Sequence, residues 1–579
     1  MAPASKSPSN EGLWVASVAV GLAAALWIGG ALSSCISGHG LPRRNLFAGL
    51  EAIWRPAYPS RAWHRDVGPA WLYWLLNLIT LTASTGFTIF VYSLWTQTMG
   101  GNRSDSHAGF AERKEVRKVA GRKSMERRAK TLRPMLVSPK GEDVSFVLGR
   151  SKGIVCHSSV EDSLLIVGPP RSGKGFNIVI PMILESKGSV VTTSTRPDNL
   201  AVSHRFRSEF GPTAVFDPQG LVEETSMTSS LKWSPLRGCE DPQTAILRAE
   251  SLVPESNRQG VENGNFWRQQ ALSVTRCLLH AAAVDGRPVS ELYRWSFSPA
   301  SCKEAVKVLT TNPMATGGWD LSLDVIVGTD PRTRDSIWAM VANAFAPLAD
   351  PKVIEALSPS DSEVFDPNEF IEEKGTLYLL GTSTGSRATS TFVSALMEDV
   401  IETAKRQAAQ KPGQRLDPPM SIILDEAANY PLSSLPSLMS DGGGSGLSTA
   451  AVLQSLSQGR DRWGKEAMGA IWDSAIVKII MGGSSNASDL SDLSRLIGDI
   501  EVDEVSSSRH PISGTTTSVS SRAKPIMEPS EIRKMKPGSA LMLLRSASPI
   551  LLTLSPWTDR REAKQVSLVG PRGVRENNV

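Results

Sequence analysis

Two uncharged, apolar stretches stand out in the first hundred residues. The first carries no charge from Gly12 to Gly38, with its apolar part at 13–34, and the second carries none from Val67 to Asn102, with its apolar centre at 70–95. About 20 apolar residues at a rise of about 1.5 Å cover the roughly 30 Å hydrocarbon core of a bilayer. Since lipid leaves backbone groups no water to bond, both stretches are predicted to be transmembrane helices.

Aromatic residues near the ends of the second stretch favour this interpretation, since such side chains concentrate at membrane interfaces; they are Trp71, Trp74, Tyr92 and Trp95. A buried soluble helix is the alternative for both stretches. For the first, a cleaved signal peptide is another, because Leu32–Cys35 resembles a lipoprotein cleavage box. The apolar run is nevertheless longer than a signal core of about 7–15 residues, and only Lys6 precedes it.

Charge is distributed unevenly along the chain. The net charge is +4, but residues 1–110 carry +3, residues 111–133 carry +7 and residues 134–579 carry −6. A basic run directly after a span marks the cytoplasmic side. The sequence therefore predicts a cytoplasmic tail at 1–12, an external loop at 35–69 and a basic juxtamembrane linker at 96–134. The charge of this run is also compatible with binding to anionic lipid headgroups or to nucleic acid. The alternative is a solvated linker helix that binds neither.

Composition narrows the class of protein. Hydrophobic residues make up 41% and charged residues 21% of the 579 positions, which excludes a mostly disordered chain and a polytopic transporter. The five cysteines form no CxxC pair, which argues against a disulfide scaffold or a zinc site.

A glycine-rich loop follows a short apolar run, SLLIV at 163–167, and precedes a helical pattern. Its spacing is GxxxxGK, in which backbone N–H groups and a lysine surround phosphate. The candidate nucleotide-binding residues are Gly168, Pro169, Pro170, Arg171, Ser172, Gly173, Lys174 and Gly175. Gly175 stands where a Ser or Thr usually binds Mg²⁺, so another group or water must supply that ligand, or the metal is bound more weakly.

Two later strands complete the predicted site. The segment SIILDE at 421–426 is an apolar strand that ends in two acids. Asp425 is the candidate Mg²⁺ ligand, and Glu426 the candidate base that polarises the attacking water. The next apolar run, 449–453, ends at Gln454, which suits a sensor of the γ-phosphate. The predicted catalytic residues are Lys174, Glu426 and Gln454.

The motifs resemble the TraG/TraD group, the coupling proteins of bacterial conjugation and type IV secretion. The resemblance rests on GPPRSGKG (168–175), VFDP (215–218), FW (266–267), LDEAAN (424–429) and LQSLSQGRDRWG (453–464), together with the two preceding apolar stretches. In that group a glycine commonly follows the P-loop lysine.

The resemblance implies an α/β fold, a RecA-like P-loop NTPase domain with an inserted all-α domain after two N-terminal transmembrane helices. The nucleotide-binding domain is expected at 135–260 and 359–579, and the all-α insertion at 261–358. The implied function is an inner-membrane coupling ATPase that uses ATP and Mg²⁺. It is expected to act as a homo-hexamer with a cytoplasmic motor, and to pass relaxase-bound single-stranded DNA or protein substrates from the relaxosome to the secretion channel.

A ring of subunits would add an arginine from the neighbouring subunit. The candidates are Arg387, Arg460 and Arg462, which the sequence does not rank. Two other functions remain open: an FtsK-like translocase of double-stranded DNA, and a membrane receptor that docks substrates without catalysis. The Ser/Thr-rich segment 506–521 is predicted to be a loop, and 539–545 and 549–554 are predicted to be strands that complete the sheet.

Overall fold

The computed structural model describes residues 11–98, 109–220, 231–253, 264–381, 389–430, 432–484, 486–510 and 514–560, and the single residues 563 and 566. The chain divides into two compact units, Met1–His107 and Ala108–Val579. Arg387 and residues 99–108 of the predicted linker fall outside the described ranges.

The described part of the N-terminal unit, residues 11–98, contains four helices. They are α1 (Glu11–Ile36), α2 (Ala48–Ile53), α3 (Pro59–Trp63) and α4 (Ala70–Thr98). α1 and α4 pack against each other, and the Trp63 indole N–H donates to the Tyr73 hydroxyl at 3.1 Å. The apolar stretches 13–34 and 70–95 are thus helical, as predicted.

The prediction of two membrane spans is not supported. Among the residues that the structure describes, no helix is both long enough and apolar enough to cross a bilayer. In α4, polar side chains interrupt the apolar sequence at Asn77, Thr80, Thr82, Ser84 and Thr85.

The second unit is built on one large sheet. Its strands are β1 (Ser145–Ser151), β2 (Ile154–Ser159), β3 (Leu164–Val167), β4 (Val190–Ser194), β5 (Thr213–Phe216), β6 (Thr376–Leu380), β7 (Met420–Leu424), β8 (Leu447–Leu453), β9 (Val477–Met481), β12 (Ser539–Leu544) and β13 (Ile550–Thr553). Across the sheet, the strands lie in the order β2-β1-β13-β12-β9-β3-β8-β7-β4-β6-β5. From β9 to β5 all neighbours are parallel, and the β2-to-β12 edge is antiparallel. The central strands β3, β4, β6, β7 and β8 are buried along their whole length, which fits their nearly unbroken apolar sequences.

Helices cover both faces of the sheet. They are α5 (Arg113–Val119), α6 (Arg122–Leu132), α7 (Ile180–Glu185), α8 (Asp198–Arg207), α9 (Pro242–Leu252), α10 (Gly264–Val284), α11 (Val289–Phe297), α12 (Lys303–Thr311), α13 (Trp319–Val327), α14 (Pro331–Phe345), α15 (Pro351–Ala356), α16 (Pro367–Glu372), α17 (Ser390–Gln410), α18 (Leu435–Asp441), α19 (Leu456–Ser474), α20 (Ala487–Ile497) and α21 (Pro529–Arg533). The described residues between β5 and β6 form no strand, and α10 to α15 fall within 261–358, the range predicted to be an all-α insertion.

Part of the basic run is folded against the second unit and is not a free linker. Val116, Met125 and Leu132 are buried in the core that also contains strands β1 to β3. Arg128 forms ion pairs with Glu161 at 2.5 Å and with Asp162 at 3.3 Å. The apolar face of α5 and α6 therefore lies on the sheet, while most of the basic residues face outward.

A fully buried arginine ends α8. Arg207 donates from Nε to the Thr376 hydroxyl at 2.8 Å and from its terminal nitrogens to the carbonyl oxygens of Ser186 and Gly188 at 2.6 and 2.8 Å. Burial lowers the pKa of this guanidinium to about 10. These contacts join the chain before β4 to the first residue of β6.

The prediction of a loop at 506–521 is wrong. Strands β10 (Asp499–His510) and β11 (Gly514–Pro525) pair antiparallel from Asp499–Pro525 to His510–Gly514 in a two-stranded ribbon. Serine and threonine run consecutively through 506–508 and 515–518, so the sequence shows no apolar alternation. By contrast, the two strands predicted near the C-terminus are present as β12 and β13.

Candidate functional site

The glycine-rich loop connects β3 to a π-helical turn at Gly175–Val179, which continues into α7. The Gly168 N–H donates to the Leu453 carbonyl at 2.9 Å, which fixes the start of the loop to the end of β8. Gly173 has φ +83°, and a Cβ there would lie 2.6 Å from Nδ2 of Asn177. Because an L side chain would be both strained and obstructed at this position, the loop conformation requires glycine at 173.

Sheet register brings the predicted site residues together. Val167 of β3 pairs with Leu453 of β8, and Leu424 of β7 pairs with Ala451 of β8. The three strands are parallel neighbours, so their carboxyl ends meet at one edge of the sheet. Lys174, Asp425, Glu426 and Gln454 follow these ends directly.

Lys174 is buried beneath the loop and has no hydrogen-bond partner for its ammonium group within the described residues. Its Nζ lies 3.8 Å from Oε1 of Glu426. Lys174 also acts electrostatically on the Asp425 carboxyl, so its ammonium lies near both acids that follow β7. Because no described group accepts a hydrogen bond from this buried ammonium, it can donate to a further anion.

Glu426 is held by four polar neighbours. Its Oε1 accepts from the Gln454 side-chain amide at 3.1 Å and faces Lys174. Its Oε2 accepts from the Thr195 hydroxyl at 3.0 Å and from the Asn429 amide at 2.9 Å. The residue has φ +53° and ψ +48°, the left-handed conformation, which turns its carboxylate away from the line of β7.

Asp425 is partly buried, like Glu426. Burial raises the pKa of its carboxyl to about 6, and the Glu426 charge adds to the rise, while Lys174 and the Asn199 amide oppose it. Its Oδ1 has no hydrogen-bond partner in the part of the chain that the structure describes. A buried carboxylate oxygen without a donor fits a site that binds a cation.

Sequence reasoning missed Thr195 and Asn429 as neighbours of Glu426. Thr195 comes directly after β4, the strand beside β7, and could have been found by the rule that located Gln454: a polar residue at the tip of an adjacent parallel strand. Asn429 lies within the LDEAAN motif, but its contact depends on a one-turn 3₁₀ helix, Ala427–Asn429, that the pattern did not indicate.

The candidate arginines have different surroundings. Arg460 is paired within the chain, to Asp489 at 3.0 Å and Asp492 at 2.8 Å. Burial lowers the pKa of Arg462, which lies on the same helix, α19. Arg171 is exposed in the loop with φ +63°. The structure leaves Arg387 outside its described ranges, so its position is not compared.

One family model and several solved structures are similar to this chain. Residues 419–537, which include β7, β8 and the acidic pair, match the family model described as the TraM recognition site of TraD and TraG. The resemblance to the TraG/TraD group is confirmed. No curated protein matches the chain.

Solved structures of the conjugative coupling protein TrwB share the fold of this chain. The unbound form of TrwBdeltaN70 aligns with a TM-score of 0.55 at 16% identity, over 76% of this chain and 92% of that one. TrwB in complex with the ATP analogue ADPNP aligns with a TM-score of 0.53 at 16% identity, over 76% of this chain and 93% of that one. TrwB in complex with ADP and Mg²⁺ aligns with a TM-score of 0.52 at 16% identity, over 74% of this chain and 91% of that one. The chain therefore has the predicted RecA-like α/β P-loop NTPase fold with a large parallel sheet.

Proposed function

We propose that this chain is a coupling ATPase, which binds ATP with Mg²⁺ and hydrolyses it to move substrate toward a type IV secretion channel. The observation that carries the proposal is the convergence of Lys174, Asp425, Glu426 and Gln454 at the carboxyl ends of three adjacent parallel strands. The nucleotide analogues in the TrwB structures support the assignment by analogy of fold.

The residues present fit a nucleotide phosphate and a divalent cation. The Lys174 ammonium and the Asp425 Oδ1 are buried without hydrogen-bond partners among the described residues, one suited to phosphate and the other to the cation. Gly168 and Gly173 allow the backbone to approach a phosphate closely. When bound, the cation would neutralise phosphate charge and orient the transferred group.

Glu426 suits the role of base. Thr195 and Asn429 hold Oε2, which fixes the orientation of the carboxylate and leaves Oε1 toward Lys174 and Gln454. A γ-phosphate bound by Lys174 and Gln454 would draw both away from Oε1. Oε1 could then accept a proton from a water aligned with that phosphate.

The partners follow from the family. The family implies relaxase-bound single-stranded DNA, relaxosome proteins and components of the secretion channel, and a homo-hexamer as the working assembly. The net charge of −6 over 134–579 argues against a broadly basic DNA-binding surface, so DNA contacts would be local, as in the channel of a ring. Arg387, Arg460 and Arg462 stay the candidates for a residue that acts on a neighbouring subunit's nucleotide, and Arg460 would have to leave Asp489 and Asp492 to do so.

We also propose that the N-terminal unit associates the chain with the inner membrane, with the motor on the cytoplasmic side. Exposed apolar side chains on α1 and α4 support this, among them Leu22, Ile28, Leu78 and Ile79. Alkaline carbonate extraction of cell membranes tests it. Retention of the full chain in the pellet is expected, and complete release would contradict association through an apolar segment.

The experiment that tests the motor is ATP turnover by the full chain with and without single- and double-stranded DNA, with the oligomeric mass measured alongside. Lys174→Ala is expected to abolish nucleotide binding, whereas Glu426→Gln should bind nucleotide but lose about 100-fold or more in turnover. Matched controls are Lys187→Ala and Glu209→Gln, which change exposed residues of the same types.

DNA transfer in cells separates the remaining functions. Loss of transfer in both site variants supports the motor. Transfer unaffected by either change would favour a docking receptor, and intact transfer with disturbed chromosome partition would favour a double-stranded DNA translocase.

A further inference from the structure

The phosphate-binding loop offers no hydroxyl oxygen after its lysine, because residue 175 is glycine. In P-loops generally, a Ser or Thr at this place contributes an oxygen to Mg²⁺. A Cβ at Gly175 would meet only one group outside its own helix and chain neighbours, Oδ1 of Asn199 at 3.9 Å. The space for a hydroxyl side chain is therefore open, and a carboxamide oxygen faces it.

Asn199 lies in the first turn of α8, the helix that follows β4. The residue is 3% exposed, and its Nδ2 has no hydrogen-bond partner in the described ranges. Its amide is also among the groups that act on the Asp425 carboxyl. The side chain thus lies between the open space at 175 and the acid that ends β7. A buried N–H₂ without an acceptor costs free energy, and the Asp425 carboxylate beside it is the acceptor within its reach.

We propose that the Asn199 carboxamide oxygen replaces the absent P-loop hydroxyl and, together with Asp425, holds the divalent cation that accompanies the nucleotide. Amide oxygens are suitable ligands for hard cations such as Mg²⁺. An amide that presents its oxygen to the cation can direct its N–H₂ toward the neighbouring carboxylate, which orients both groups. This inference rests on the proposed function, since it assigns a residue to the same nucleotide site.

Cation affinity is the direct test. Mn²⁺ is titrated into the full-length chain saturated with ADP, and bound Mn²⁺ is followed by electron paramagnetic resonance. Asn199→Ala is expected to weaken Mn²⁺ binding by about 10–100-fold. Binding of a fluorescent ATP analogue in EDTA, where no cation is present, should change by less than about twofold, because the loop and Lys174 are untouched.

A second substitution provides a rescue. Since position 175 has open space, Gly175→Ser in the Asn199→Ala chain places a hydroxyl beside the removed amide. The double variant is expected to regain most of the lost Mn²⁺ affinity. Ser203→Ala is the matched control: Ser203, one turn along α8, donates to the Asn199 backbone carbonyl at 2.6 Å and bonds Tyr378, so its loss perturbs the helix at Asn199 while keeping the Asn199 carboxamide.

The possible failures are distinguishable. If the unmodified chain binds neither nucleotide nor Mn²⁺, the proposed function fails and the assignment of Asn199 fails with it. If the unmodified chain binds both and Asn199→Ala binds Mn²⁺ equally well, the assignment alone is overturned. It is also overturned if nucleotide binding in EDTA falls in parallel with Mn²⁺ binding, or if Ser203→Ala reproduces the loss.

Discussion

Replacing Asp425 with asparagine is expected to stabilise the empty protein at neutral pH while impairing its function. Burial raises the pKa of the Asp425 carboxyl from its usual value near 3.8 to about 6 in the folded chain. Between these two pH values the unfolded chain releases this proton and the folded chain retains it. The free energy of unfolding therefore falls with rising pH over this window, and the full cost is present above about pH 6.

The size of the effect follows from the displacement of the pKa. About two pH units correspond to about 3 kcal/mol of unfolding free energy. Asp425→Asn has no proton to lose, so its stability relative to the unmodified chain should rise by about this amount between pH 4 and pH 7. Part of the gain will be offset where the new amide lacks a hydrogen-bond partner, but this offset does not depend on pH.

The assay is urea unfolding at several pH values in EDTA, without nucleotide, for both chains. Asp461→Asn, the same change at an exposed aspartate of α19, is the control against which the result for Asp425→Asn is compared. A difference for Asp425→Asn that stays constant from pH 4 to pH 7, or that moves in the opposite direction, would refute the reasoning. The same variant should bind Mn²⁺ poorly, so the substitution raises the free energy of unfolding and lowers cation affinity at the same time.

Three further substitutions are expected to affect turnover, nucleotide binding and the free energy of unfolding, respectively. Thr195→Val removes the hydroxyl that holds Oε2 of Glu426, so steady-state turnover should fall about tenfold with little change in nucleotide affinity; equal losses in both would contradict a positioning role. Gly173→Ala introduces a Cβ 2.6 Å from the Asn177 amide at φ +83°, so binding of a fluorescent nucleotide should be lost while the fold, judged by circular dichroism, persists. Arg207→Met leaves three buried acceptors without donors and should lower the free energy of unfolding by about 1–3 kcal/mol, measured by urea unfolding, with no change in the nucleotide affinity of the folded chain.

Much of the site could be predicted because its chemistry is local in sequence. The P-loop spacing places Lys174 by itself, and the apolar runs that end at Asp425 and Gln454 are short enough to be identified as strands. One geometric rule then suffices, since parallel strands carry their carboxyl ends to a common edge. Thr195 satisfies the same rule but stands in no recognised motif, which is why it was missed.

Other features depend on packing that no short pattern contains. The basic run has more charges than apolar residues, yet Val116, Met125 and Leu132 suffice to bury one face of α5 and α6. The sequence of β10 and β11 shows no alternation of apolar and polar residues, so its threonines and serines suggested a loop. The pairing of Arg460 with Asp489 joins residues 29 positions apart, and its sequence gives no reason to prefer that partner over a neighbouring subunit.

The ion pairs of Asp162 connect α6 to the start of β3 within the second unit. Asp162 forms ion pairs with Arg128 of α6 at 3.3 Å and with Arg545, which follows β12, at 2.8 Å. It lies two residues before β3, and the phosphate-binding loop follows the other end of that strand. A force applied along α6 would therefore be transmitted to the strand that supports the nucleotide, over a distance of a few residues. We expect tension on the basic run, or its release, to alter the rate at which nucleotide leaves the site.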